Sequence, residues 1–63
     1  MATIAQIKDR LPNVKVQYKG KTYVGYVSGR KNKFATVHFS DRSAEWSWES
    51  VTRAYNNKSA LRA

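Results

Sequence analysis

The sequence predicts a mainly-β domain: a sheet of five short strands curled into a small barrel and entered through a short N-terminal helix. Three observations carry that expectation. Apolar and polar residues alternate in short runs from Val14 onward, tight polar turns separate the runs, and the strands are too few for a two-sheet sandwich. A chain of this size buries only roughly 60% of the surface that its unfolded form exposes, so the core must be compact. It holds no cysteine and one histidine, which leaves neither a disulfide framework nor a thiolate metal site; no metal or other cofactor is expected, and packing must stabilise the fold. Hydrophobic residues make up 41% of the chain and aromatic residues 13%, enough apolar material to fold despite the charge.

The elements follow in order. Thr3 stands three positions before Gln6, the spacing of a capping box, and Ile4, Ile7 and Leu11 recur at near-helical intervals, so a helix is expected over 4–10. Pro12 lacks a backbone donor and disfavours helical geometry at Leu11, which ends it. The period then changes: Val14, Val16 and Tyr18 alternate with Lys15 and Gln17 as in a strand with one wet face. Lys19 to Lys21 form the turn. Thr22 to Ser28 is a second strand with Tyr23, Gly25 and Val27 on one face and Val24 and Tyr26 on the other, Gly25 marking a bend or a close backbone approach. Residues 29–33 make a polar turn with three cations, and Phe34 to Phe39 a third strand with Ala35, Val37 and Phe39 facing the core.

A turn over Ser40 to Ser43 leads to a fourth strand over Ala44 to Trp48, with Ala44, Trp46 and Trp48 on one face. Glu49 to Val51 is expected as a single helical turn and Thr52 to Tyr55 as the closing strand. From Asn56 the pattern fades, and residues 56–63 are expected to be a flexible tail. The chain therefore divides into a lead-in over 1–13, a barrel over 14–55 and a tail over 56–63.

The run Tyr23-Val24-Gly25-Tyr26-Val27, then Ala35-Thr36-Val37-His38-Phe39-Ser40-Asp41, then Trp48-Glu49-Ser50-Val51 resembles the Tudor-type SH3-like barrel pattern. It is also similar to the DNA-binding C-terminal domain of retroviral integrases. The resemblance covers about residues 14–55 and implies an SH3-like architecture. Val14 to Lys21, reading VKVQYKGK, more weakly resembles the opening hairpin of the small basic archaeal chromatin proteins, which share this size and charge but carry a long C-terminal helix.

Twelve Lys and Arg against four Asp and Glu give a net charge of +8, and a protein so charged seeks a polyanion. Lys15, Lys19, Lys21, Arg30, Lys31 and Lys33 fall within nineteen residues that contain no acid. A basic surface interleaved with Tyr26, Phe34 and Trp46 combines phosphate neutralisation with stacking. Lysines along a strand edge also deter aggregation, the plainer explanation of their presence. Of the two tryptophans, Trp48 is expected in the core near Val37 and Val51 and Trp46 at the binding surface. The expected function is non-enzymatic binding of nucleic acid, DNA favoured over RNA and duplex over single strand, with limited sequence specificity.

The alternative is a protein-interaction or assembly module that uses the exposed aromatic patch, as in a homodimer. A cage for methylated lysine or arginine, the Tudor use of such aromatics, fits poorly because a +8 surface repels a basic tail. His38 with Ser40 and Asp41 lacks the nucleophile turn and oxyanion site of a hydrolase. Plasmid-borne dihydrofolate reductases share the barrel architecture, but Thr36-Val37-His38-Phe39 lacks the glutamine of their strand motif. No apolar run approaches the roughly 18 residues of a membrane span, and no basic stretch precedes an apolar one near Met1, so a cytoplasmic or nucleoid-associated protein with no membrane partner is expected.

Overall fold

The structure is a computed structural model that describes residues 1–63. Helix α1 (Ile4–Arg10) leads into strands β1 (Val14–Tyr18), β2 (Lys21–Ser28), β3 (Phe34–Phe39) and β4 (Arg42–Ser47), then helix α2 (Trp48–Asn57) and strand β5 (Ala60–Arg62). The expected capping box is present: Gln6 N donates to Thr3 Oγ1 at 3.2 Å and Thr3 N donates to Gln6 Oε1 at 3.0 Å. Leu11 caps the helix in the left-handed region at φ 48°, directly before Pro12. Lys19 and Gly20 both have positive φ, the requirement of a type I′ hairpin turn, so β1 and β2 pair antiparallel with Tyr18 opposite Lys21.

The strands form one five-stranded mixed sheet in the order β4-β3-β2-β1-β5, curled into a half-barrel. Only the β1–β5 pairing is parallel. The concave face carries the core: Val14 and Val16 from β1, Val27 from β2, Ala35, Val37 and Phe39 from β3, closed by Ile7, Trp48, Val51, Ala54 and Leu61. Gly25 lies on this face, against β1 and β3. A Cβ there would collide with Val37 Cγ1 and sit 3.0 Å from Val16 Cγ2, so the close approach expected of this glycine is real. The two helices pack on each other across one end. Asn56 joins them by a paired contact, accepting from Ala2 N and donating to Ala2 O, both at 2.8 Å.

The strand count is as expected, but the fifth strand lies elsewhere in the chain. Trp48 is the first residue of α2 instead of the last of β4, and residues 49–55 continue a ten-residue helix where one turn and a closing strand were expected. The cause is local. Ser47 is extended and its Oγ accepts from Ser50 N at 3.1 Å, an N-cap, while Trp48, Val51, Thr52 and Ala54 fall on one buried stripe and Arg53 donates to Glu49 one turn back at 3.1 Å. Residues 56–63, expected as a flexible tail, hold the last turn of α2 and then β5. Lys58 at φ 55° turns the chain out of the helix, Ser59 N donates to Ala54 O, and Ala60, Leu61 and Arg62 pair with Lys15, Val16 and Gln17. Leu61 is buried in the core cluster, and that burial is what holds the segment.

One core atom is poorly served. Thr52 Oγ1 is buried with no hydrogen-bond partner, a state that costs about 1–3 kcal/mol. Thr52→Val keeps the shape and removes the orphan hydroxyl, so the thermal midpoint should rise by about 4–8 °C for each kcal/mol recovered. Calorimetry checks this, and a midpoint below wild type in the Thr52→Val variant would mean that the hydroxyl is satisfied.

Candidate nucleic-acid interface

Alternation along the strands divides the candidate residues between two faces. On the convex outer face stand Lys15 from β1, Val24, Tyr26 and Ser28 from β2, and Phe34, Thr36 and His38 from β3. The register sets Lys15 beside Val24 and Tyr26 beside His38. Val24 is 61% exposed, Tyr26 63% and Phe34 52%, large apolar groups that nothing in the fold covers. A β-sheet face packed on one side and aromatic on the other is a surface fit for a partner.

Phe34 adjoins the loop of residues 29–33, which carries Arg30, Lys31 and Lys33 at one end of this face. Gly29, at φ 83°, makes the turn, and Asn32 N donates to Gly29 O at 2.9 Å. Trp48 Nε1 donates to Asn32 O at 2.9 Å, so the basic loop is pinned to the start of α2. Arg30 reaches Asp9 near the end of α1 only at 4.0 Å, both side chains being well exposed, and a contact of that kind contributes little. All three loop cations face solvent.

Lys19 and Lys21 lie at the other end of β2, about 23 Å away at roughly 3.3 Å per residue. Lys19 occupies the hairpin turn, and Lys21 pairs with Tyr18 on the concave side. Trp46 also lies on the concave side, half-buried, with its ring centroid 6.4 Å from that of Phe39. The structure therefore brings Lys15, Tyr26, Phe34, Arg30, Lys31 and Lys33 to one side and sets Lys19, Lys21 and Trp46 apart from them. A single surface holding all nine is not formed.

Sequence reasoning passed over Arg42, whose guanidinium lies 4.8 Å from the Tyr18 ring centroid. A four-residue turn over 40–43 hid it. The actual turn is Ser40-Asp41, and so tight a connection sets Arg42 opposite Phe39 in the strand register. A cleft of about 700 Å³ between α1, the start of β1 and the end of α2 adds Arg10 and Lys58 beside Lys15. Of the twelve basic residues, only Arg30 and Arg53 have a carboxylate within 4.0 Å, and the other ten have none. Charge left unpaired on this scale is the dominant electrostatic property of the surface.

No family model, curated protein or solved structure matches the chain. The surfaces are read on their own chemistry. His38 Nε2 lies 3.0 Å from Ser28 Oγ, which also donates to Thr36 O at 3.3 Å. Ser40 sits in the β3–β4 turn, as expected, at φ 53°. The Ser28–His38 pair lies open on the sheet face, without a carboxylate hydrogen-bonded to the imidazole. No helix is long and apolar enough to cross a membrane.

Proposed function

We propose that this protein is a non-enzymatic nucleic-acid-binding domain that lays its convex sheet face on duplex DNA. The observation that carries the reading is the outer face itself: Lys15, Tyr26 and Phe34 on three adjacent strands, ended by the solvent-facing cations of the 29–33 loop. Lysine and arginine there neutralise phosphates and release counterions, while the exposed rings supply contact with sugar edges or bases. Phosphate contacts carry no sequence information, so specificity is limited. Glu45 on β4 is the one acid on that face, at its far margin. In architecture we read the curled sheet as an SH3-like barrel, Tudor-type or integrase-like, in which a full helix replaces the single turn before the last strand. A nucleoid-associated or otherwise cytoplasmic setting suits a sequence-tolerant binder of this size.

The exposed Val24, Tyr26 and Phe34 also favour a second reading, a self-associating or protein-binding module in which this patch is the contact. Salt dependence separates the two. If about four cations contact phosphate, log affinity for duplex DNA falls with log salt at a slope near −3.6, a loss of roughly two orders of magnitude between about 50 and 200 mM. Replacing Arg30, Lys31 and Lys33 together with Gln should flatten that slope by about 2–3 units without unfolding the protein. Lack of duplex binding at about 50 mM salt, together with concentration-dependent sedimentation, would replace this reading with the second.

A further inference from the structure

The curl of the sheet leaves a second basic and aromatic surface on the side opposite Tyr26 and Phe34. Both helices pack toward the other part of the concave face, and Tyr18, Tyr23 and Trp46 remain half-buried around the buried ring of Phe39. Their centroids lie 5.8, 6.1 and 6.4 Å from that of Phe39, tilted by 57°, 39° and 50°. Arg42 stands 4.8 Å and Lys19 5.3 Å from the Tyr18 ring, and Lys21 is its cross-strand partner. None of these three cations has a carboxylate within 4.0 Å; of the acids nearby in the chain, Asp41 lies in the adjoining turn and Glu45 is opposite Thr36 on the other side of the sheet.

We propose that this concave end is a separate site for unpaired nucleotides, in which bases stack on Tyr18 and Trp46 while Lys19, Lys21 and Arg42 hold the phosphates. The protein then carries a duplex on one face of the sheet and a single strand on the other. The proposal rests on the nucleic-acid reading above and extends it to a second ligand form. The chemistry favours unpaired nucleotides here because a half-buried aromatic ring can take the face of a base only when that base has left its stack. Clustered cations against aromatic rings are the combination that single strands use, phosphates on charge and bases on rings. The alternation of the strands sets the two sites apart, since residues of β2 an odd number of positions from each other, such as Tyr23 and Tyr26, point to opposite sides.

The test is a titration of tryptophan fluorescence with an oligothymidylate of about ten nucleotides, in wild-type protein and in a Trp46→Phe protein whose remaining Trp48 signal is subtracted, with and without saturating labelled duplex. Trp46 emission should be quenched, and the oligomer should join the duplex-bound protein to give a ternary complex. The triple variant Lys19→Asn, Lys21→Gln, Arg42→Gln removes the three charges, and asparagine tolerates the positive φ at position 19. It should flatten the salt slope for the oligomer by about 2 units while the duplex slope stays as in the wild type. Competition of oligomer and duplex for one site, or equal flattening of both slopes, would overturn the proposal. Duplex binding without oligomer binding defeats the second site alone, whereas oligomer binding without duplex binding defeats the outer-face reading and leaves this one standing.

Discussion

Trp48→Ala is expected to abolish the cooperative thermal transition or bring its midpoint near room temperature. The side chain is 5% exposed, begins α2, packs in the one core of the molecule and ties the 29–33 loop to the helix through its indole N–H. Truncating a buried tryptophan costs about 3–5 kcal/mol. A domain of this length has roughly 3–9 kcal/mol of stability in total at 0.05–0.15 kcal/mol per residue. The loss is therefore comparable with everything that holds the chain folded. Trp48→Phe, which keeps most of the ring and loses only the bond to Asn32 O, should unfold cooperatively at a midpoint several degrees below wild type. Circular dichroism against temperature reads both. A Trp48→Ala protein that melts within a few degrees of wild type would show that neither the core nor the loop depends on this residue.

The first forty residues were legible because each element there carries its own local signal. Thr3 and Gln6 mark the start of α1, Pro12 its end, and the switch to alternation at Val14 the first strand; Val14, Val16, Val27, Ala35, Val37 and Phe39 are all buried as the alternation requires. The β3–β4 turn is two residues shorter than it reads, and the misreading of whole elements begins at Ser47. Trp48, Val51, Thr52 and Tyr55 all favour strands by intrinsic propensity, and the helix prevails because its buried stripe completes the core. Ser47 and the Glu49–Arg53 pair were the signals for it. β5 had no local signal at all, since a strand of three residues is made by its partner β1.

The candidate site divides in the same way. The outward facing of Tyr26 and Phe34 follows from period two alone, and so does the shared face of Ala44 and Trp46. Which end of the concave face stays open does not. It depends on where α1 and α2 pack, a tertiary fact that alternation cannot express, and that is why Tyr18, Tyr23 and Trp46 emerge as a group only in the fold.

Deleting residues 59–63 should lower the thermal midpoint by at least about 10 °C, although the same segment reads in the sequence as a dispensable tail. Removal takes away Leu61, which is 5% exposed and packs in the core, and the ladder from β5 to β1. It also removes the bonds from Ser59 N to Ala54 O, which ends α2, and from Ala63 N to Gln17 O. Loss of a buried leucine alone costs about 2–5 kcal/mol, and in a domain of this size each kcal/mol moves the midpoint by about 4–8 °C. The deletion further bares the edge of β1, whose free N–H and C=O groups invite pairing between chains, so aggregation should accompany melting. Two point variants locate the effect: Leu61→Ala should reproduce most of the loss, and Arg62→Ala, on the exposed side of the same strand, almost none. A deletion protein that melts with the wild type would mean that β5 does not hold β1 in solution, and that the half-barrel closes on α2 without it.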